Sequence, residues 1–164
     1  MTVNAMKKGA KKAVKIILCI LILFLVISSC WYTWRFLKYS RYSDGMERNP
    51  FYTWLVPRYK WTDADRFDYG VKYPEYLSFT GNLSVGLPTS DENPFTDFMI
   101  IWPKFFGGYE YGVSLTDGDM SYQIEINEDG TAVDPQYAEL AERCKETIDI
   151  LFERADEMWH ISDR

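Results

Sequence analysis

Two glutamates, one histidine and one cysteine bound the chemistry open to this chain. Glu110 and Glu125 lie on either side of Asp117-Gly118. A hairpin turned at that dipeptide sets them opposite each other, and facing carboxylates can divide acid and base roles. His160 is the sole histidine, and Cys144 is the sole cysteine beyond the apolar amino-terminal stretch. Neither has a sequence neighbour that would orient it, so Ser/His and Cys/His nucleophile sets do not assemble. The chain has no nucleophile elbow, phosphate loop or zinc motif. The expectation is a protein that is not an enzyme and carries no cofactor or metal. Glu110 and Glu125 form the one catalytic arrangement that the sequence permits.

Other groupings point to binding or to local structure. Trp54, Tyr59 and Trp61 could present rings to a glycan or peptide. The alternative is that they pack on their own domain. Asp63, Asp65 and Asp68 cluster in the manner of a cation site, but Thr62-Asp63-Ala64-Asp65 also reads as a capping box. Glu125, Asn127, Asp129 and Gly130 resemble a calcium-binding loop. The first ligand position there is Glu, and Gln136 stands where a bidentate Glu is needed, so a turn between strands is the expectation.

The elements that must position these residues follow from periodicity. Residues 43–75 are rich in aromatics and interrupted by Pro50, Pro57 and Pro74. They read as a connector draped on the domain, with a short helix from Thr62 to Gly70. From Glu75 the period becomes two: Leu77 and Phe79, then Leu83, Val85 and Leu87. Phe98-Met99-Ile100-Ile101-Trp102 is apolar throughout, which predicts a strand buried on both faces. If that strand is instead partly exposed, it would cover another protein. Tyr109 to Leu115 and Met120 to Ile126 alternate on either side of Asp117-Gly118, predicting a hairpin. Its register places Leu115 opposite Met120, Val113 opposite Tyr122 and Tyr111 opposite Ile124. Thr131 to Val133 adds a short strand. Asp134-Pro135 then opens a helix whose apolar stripe runs from Tyr137 through Cys144, Ile148 and Leu151 to Met158. That stripe is expected on the apolar face of the hairpin. The predicted class is α+β: a sheet of about 4–5 antiparallel strands in residues 76–164, packed on a carboxy-terminal amphipathic helix.

The amino-terminal part locates the domain. Ile16 to Trp34 holds no charged residue. As a helix its 19 residues reach roughly 29 Å, enough to cross a bilayer's hydrocarbon core. The expected order is a basic tail (1–15), a transmembrane and juxtamembrane helix (16–42) that contacts lipid, the connector and the domain. Five lysines precede the span, whereas Arg35, Lys38 and Arg41 follow it. This balance predicts a cytoplasmic amino terminus and an outer domain at the cell membrane. Ile27-Ser28-Ser29-Cys30 resembles the lipobox of bacterial lipoproteins. That resemblance implies the alternative of cleavage before Cys30 and its lipidation, although Trp31-Tyr32 is unlike the small polar tether such proteins carry. Residues 1–43 hold eight Lys/Arg and no Asp/Glu, while the remainder holds ten Lys/Arg against 24 Asp/Glu. The domain's acidity opposes nucleic acid as a partner. A protein or glycan partner, or a place as structural subunit of a membrane complex, is the expectation that remains.

Overall fold

The computed structural model describes residues 3–52, 56–88, 97–118 and 120–162, with residues 3–10 as backbone only. The chain divides into two units, Met1–Lys38 and Tyr39–Arg164.

The first unit is formed by α1 (Val3–Tyr39). Within Lys11–Tyr42 lies a window of mean hydropathy 2.8, so this helix is long and apolar enough to span a membrane. A signal sequence meets the same criterion. Near the helix's end, cations sit one turn from aromatic rings. Arg35 lies 4.7 Å from the Trp31 ring centroid and Lys38 lies 5.6 Å from that of Trp34. Such i,i+4 cation–ring pairs suit a polar–apolar boundary, where the ring stays in apolar surroundings and the charge reaches water.

The second unit is built on one antiparallel sheet of seven strands in sequential order. They are β1 (Glu47–Arg48), β2 (Arg58–Thr62), β3 (Asp68–Lys72), β4 (Asn82–Gly86), β5 (Phe98–Pro103), β6 (Tyr109–Asp117) and β7 (Met120–Ile126). The α+β class holds, but the sheet has seven strands, not 4–5. The additional strands, β1 to β3, come from the aromatic stretch that reads as a connector. Its prolines flank the strands without interrupting them: Pro57 precedes β2 and Pro74 follows β3. No ladder hydrogen bond is lost in that arrangement. No helix follows Thr62. Asp63 instead closes a tight loop, its carboxylate accepting from the Phe67 amide at 2.8 Å, while Arg66 turns the backbone at φ 71°. Gly70 lies inside β3, where a Cβ would come within 2.6 Å of Ser84 Oγ. Residues 75–81 form no strand, and Leu77 there has φ 59°.

The β6–β7 hairpin forms with its register displaced from the expected one. Leu115 stands opposite Tyr122, Val113 opposite Ile124 and Tyr111 opposite Ile126. The strands end on the pair Asp117–Met120, so the loop begins at Gly118 (φ 63°). Moving the turn by one residue slides the partner strand by two. Side chains alternate with period two, so the apolar face is preserved.

After β7 come a 3₁₀ turn (Pro135–Tyr137), α2 (Ala138–Arg143) and α3 (Lys145–Trp159). Asp134 caps the first turn through the Gln136 amide, 2.9 Å away. The apolar stripe is interrupted at Cys144 (φ −95°, ψ 14°). Helix α3 packs over β4 and β5, the middle of the sheet, and not on the hairpin alone. Its Ile148, Leu151 and Ala155 meet a layer containing Leu83, Val85, Met99 and Ile101, all of them essentially without exposure. Each such large side chain contributes about 1.5–3 kcal/mol through burial. The Phe152 ring lies 5.0 Å from Tyr111, extending the contact to β6.

Aromatic residues of the 39–79 stretch complete this layer. Within the core the Tyr39 hydroxyl oxygen accepts from the Gly81 amide at 2.8 Å. The Trp159 indole donates to the Tyr42 carbonyl at 3.0 Å, and the Tyr42 and Tyr109 hydroxyls meet at 3.2 Å. Tyr69 and Tyr73 stand on the same face, with rings 5.8 Å from Trp159 and 5.6 Å from Tyr39.

Candidate functional site

The sheet's second face carries the chemistry left outside the core. Its composition follows from the register. One row crosses β2 to β7 as Lys60, Gly70, Ser84, Ile100, Gly112 and Glu125. The next holds Arg58, Lys72 and Asn82 on β2–β4, then Trp102 and Glu110 on β5 and β6. A third runs Thr62, Asp68, Gly86, Phe98, Ser114 and Gln123. Three cations therefore gather on β2 and β3 beside Asp68, two glutamates stand on β6 and β7, and the large apolar side chains stand on β5.

Strand β5 is thus not buried on both sides. Met99, Ile101 and Pro103 are buried under α3, whereas Phe98, Ile100 and Trp102 are half-buried on the second face. Both sides are apolar for different reasons: one feeds the core and the other forms a ridge. Trp102 lies flat because Gly112 has no side chain, and a Cβ there would come within 3.0 Å of the indole. Beside the ridge, small residues on β4 leave a depression of about 410 Å³, bordered by Lys72, Asn82, Ser84 and Gly86. Ser114 and Ser121 share a 3.1 Å hydrogen bond on the far side.

Glu110 and Glu125 border a larger depression of about 880 Å³, together with Glu128 and Asp129. They are not cross-strand partners. Glu125 stands opposite Gly112, and Glu110 lies in the adjoining row opposite Trp102. Glu110 forms an ion pair with Lys104 at 3.4 Å, and its side chain is 68% exposed. Asp129 accepts from the Thr131 hydroxyl at 2.6 Å and from its amide at 3.0 Å. These bonds hold its carboxyl below the usual range. The loop's hydrogen bonds are those of a turn. Among the described residues, no cluster of three or more His, Cys, Asp or Glu side chains has metal-holding geometry.

The aromatic candidates separate. Trp54 lies outside the described residues. Tyr59 and Trp61 project from β2 toward the side that carries α3, with rings 5.2 Å from Tyr73 and 5.3 Å from Tyr69. Trp61 keeps 40% exposure at the margin. They do not share a face with the β5 ridge.

The remaining candidates have internal roles. Arg154 of α3 reaches Asp65 at 2.8 Å and Asp63 at 4.0 Å, and stacks on Phe67 at 4.5 Å. Asp68 accepts from Thr62 at 2.6 Å. The three carboxylates of this loop thus have partners within the chain. Cys144 is half-buried at the α2–α3 break, and burial pushes its thiol up, with Asp97 and Asp117 adding to the effect. A thiol held protonated is a poor nucleophile. Cys30 is an exposed residue of α1.

No protein-family model matches this chain, and no curated protein or solved structure is similar to it at a significant level. The ridge of Phe98, Ile100 and Trp102, with its flanking charges, was not legible as a set. Its signal lies in the matching positions of Ser84, Gly86 and Gly112, which become neighbours only once the register is known.

Proposed function

We propose that this chain is a single-pass membrane-anchored protein whose acidic domain, outside the cytoplasm, is a binding or accessory module that works through its second sheet face. The observation that carries this reading is the half-exposed ridge on β5. An antiparallel sheet can leave one face to water, but that face is then ordinarily polar. Here three large apolar side chains stand between a basic and an acidic flank, the pattern of an interface core inside a charged rim. The apolar α1 and its lysine-rich lead support an anchor with the amino terminus inside.

Binding suits this face better than catalysis. An acid–base pair requires at least one carboxyl withdrawn from water. Glu110 is exposed and paired with a lysine, and Glu125 is exposed. The test is proximity labelling by the full chain in its own membrane, compared with Ile100→Asp. Loss of specific neighbours in the variant supports the reading. An unchanged neighbour set removes the face from it.

A further inference from the structure

We infer that the second sheet face docks a second copy of this chain, face to face, about a two-fold axis parallel to the strands between β4 and β5. This deepens the reading of that face as a binding surface and rests on it. A two-fold contact must be self-complementary, and this face is so in shape and in charge. The axis lays β5 of one copy over β4 of the other, β6 over β3 and β7 over β2. Ile100 then meets Ser84 of the second copy, Phe98 meets Gly86, and Trp102 meets Asn82. The large residues of β5 enter the depression of about 410 Å³ that the small residues of β4 leave open. The same operation sets Lys60 over Glu125, twice, and Lys72 over Glu110, which pair within the chain with Glu75 at 3.0 Å and Lys104 at 3.4 Å.

The alternative two-fold axis, perpendicular to the strands, stacks every strand on itself. It would set Lys60 near Lys60 and Glu125 near Glu125, which like charge opposes. Among the described residues, Lys60 and Glu125 have no ion pair within their own chain. Stacked sheets lie about 10 Å apart, a gap that a lysine and a glutamate close from either side. The overlap of β2 to β7 spans five intervals of about 4.8 Å, and five residues at about 3.3 Å give roughly 400 Å² of flat area per copy. That is small for a specific interface, so the contact needs the raised local concentration of two tethered chains.

The test uses the full chain in its membrane with Ile100 replaced by a photo-crosslinking phenylalanine analogue. The expected product has twice the mass of the chain, with the crosslink in the 82–86 peptide of the second copy. Lys60→Glu and Glu125→Lys should each cut its yield by about fivefold, and the double swap should restore it to within about twofold. Both positions are exposed, and restoration by the double swap separates lost docking from lost folding. A crosslink to a different protein overturns self-docking but leaves the binding-module reading in place. The absence of any crosslink removes both. A dimer whose yield ignores the swaps refutes the docking geometry.

Discussion

Tyr39 and Gly81 make a lock whose removal can be worked out from its geometry. Tyr39 is fully buried, and its hydroxyl oxygen accepts the Gly81 amide at 2.8 Å. Tyr39→Phe keeps the ring and leaves that amide without this acceptor. An orphaned buried donor costs about 1–3 kcal/mol. For a unit of this size, 1 kcal/mol moves the melting midpoint by about 3–5 °C, so a fall of about 3–15 °C is expected. Gly81→Ala attacks the same point sterically. Its Cβ would lie 2.3 Å from the Lys72 carbonyl oxygen and 2.6 Å from the Tyr39 ring. The ring can be trimmed but the carbonyl cannot, because Lys72 is paired within the sheet. Overpacking of this kind costs about 1–3 kcal/mol or more. The assay is thermal unfolding of the full chain in detergent, followed by near-ultraviolet circular dichroism of the aromatic core. Gly81→Ala should remain destabilising even in a Tyr39→Ala background. A Tyr39→Phe midpoint unchanged to about 1 °C, or relief of Gly81→Ala by Tyr39→Ala, would refute the account.

Alkaline pH should loosen the domain through Tyr69 and Tyr111, both pushed up to about 12. Burial is the main cause, reinforced by Asp63 at Tyr69 and by Glu128 and Asp156 at Tyr111. The unfolded chain ionises these phenols near pH 10, ahead of the folded one. Stability is therefore complete below pH 10 and falls as pH rises toward 12, by roughly 2–3 kcal/mol for each tyrosine at most. Urea midpoints measured from pH 8 to 11.5 should show that fall, and a flat profile would contradict it. His160 ends α3 in the left-handed region at φ 50°, with its amide on the Asp156 carbonyl at 2.8 Å. His160→Gly keeps that bond and relieves the conformation, so it should raise stability by about 0.5–1 kcal/mol in chemical denaturation. Intact-mass measurement of the membrane-extracted protein should find residues 1–29 retained, and protease added outside intact cells should reach the acidic domain. A diacylglyceryl group on Cys30 would replace the anchor with the lipoprotein alternative, and protection of the domain would reverse the orientation.

Patterns confined to one element were legible in the sequence; patterns requiring two elements were not. The alternation of Tyr109 to Leu115 and Met120 to Ile126 specified a hairpin and its apolar face. The turn position did not follow, because Asp117-Gly118 and a loop beginning at Gly118 both satisfy the glycine's positive φ. In the aromatic stretch, prolines masked strands β1 to β3. A proline outside a strand marks its boundary, while one inside forbids it, and composition does not separate these cases. The break at Cys144 was likewise invisible, since a stripe of period 3.6 continues through a single turn of altered backbone.

The candidate face shows why an apolar run is ambiguous. Phe98 to Trp102 satisfies equally a strand buried on both sides and a strand with one side in the core and one in an interface. What separates them is the position of α3, the only long helix among the described residues of this unit. Helix α3 has one apolar stripe, and Ile148, Leu151 and Ala155 spend it on the side of Met99 and Ile101. Its other side carries Glu146, Asp149 and Glu153, all exposed. Nothing among the described residues after β7 remains to cover Phe98, Ile100 and Trp102. A three-residue ridge of this size would ordinarily be exchanged for polar residues on a wet face. Instead the sequence supports the ridge, placing Gly112 beneath Trp102 and small residues beside Ile100 on β4. The strand's two faces thus have different surroundings: Met99 and Ile101 hold the fold, while Phe98, Ile100 and Trp102 form the ridge on which the proposed binding rests.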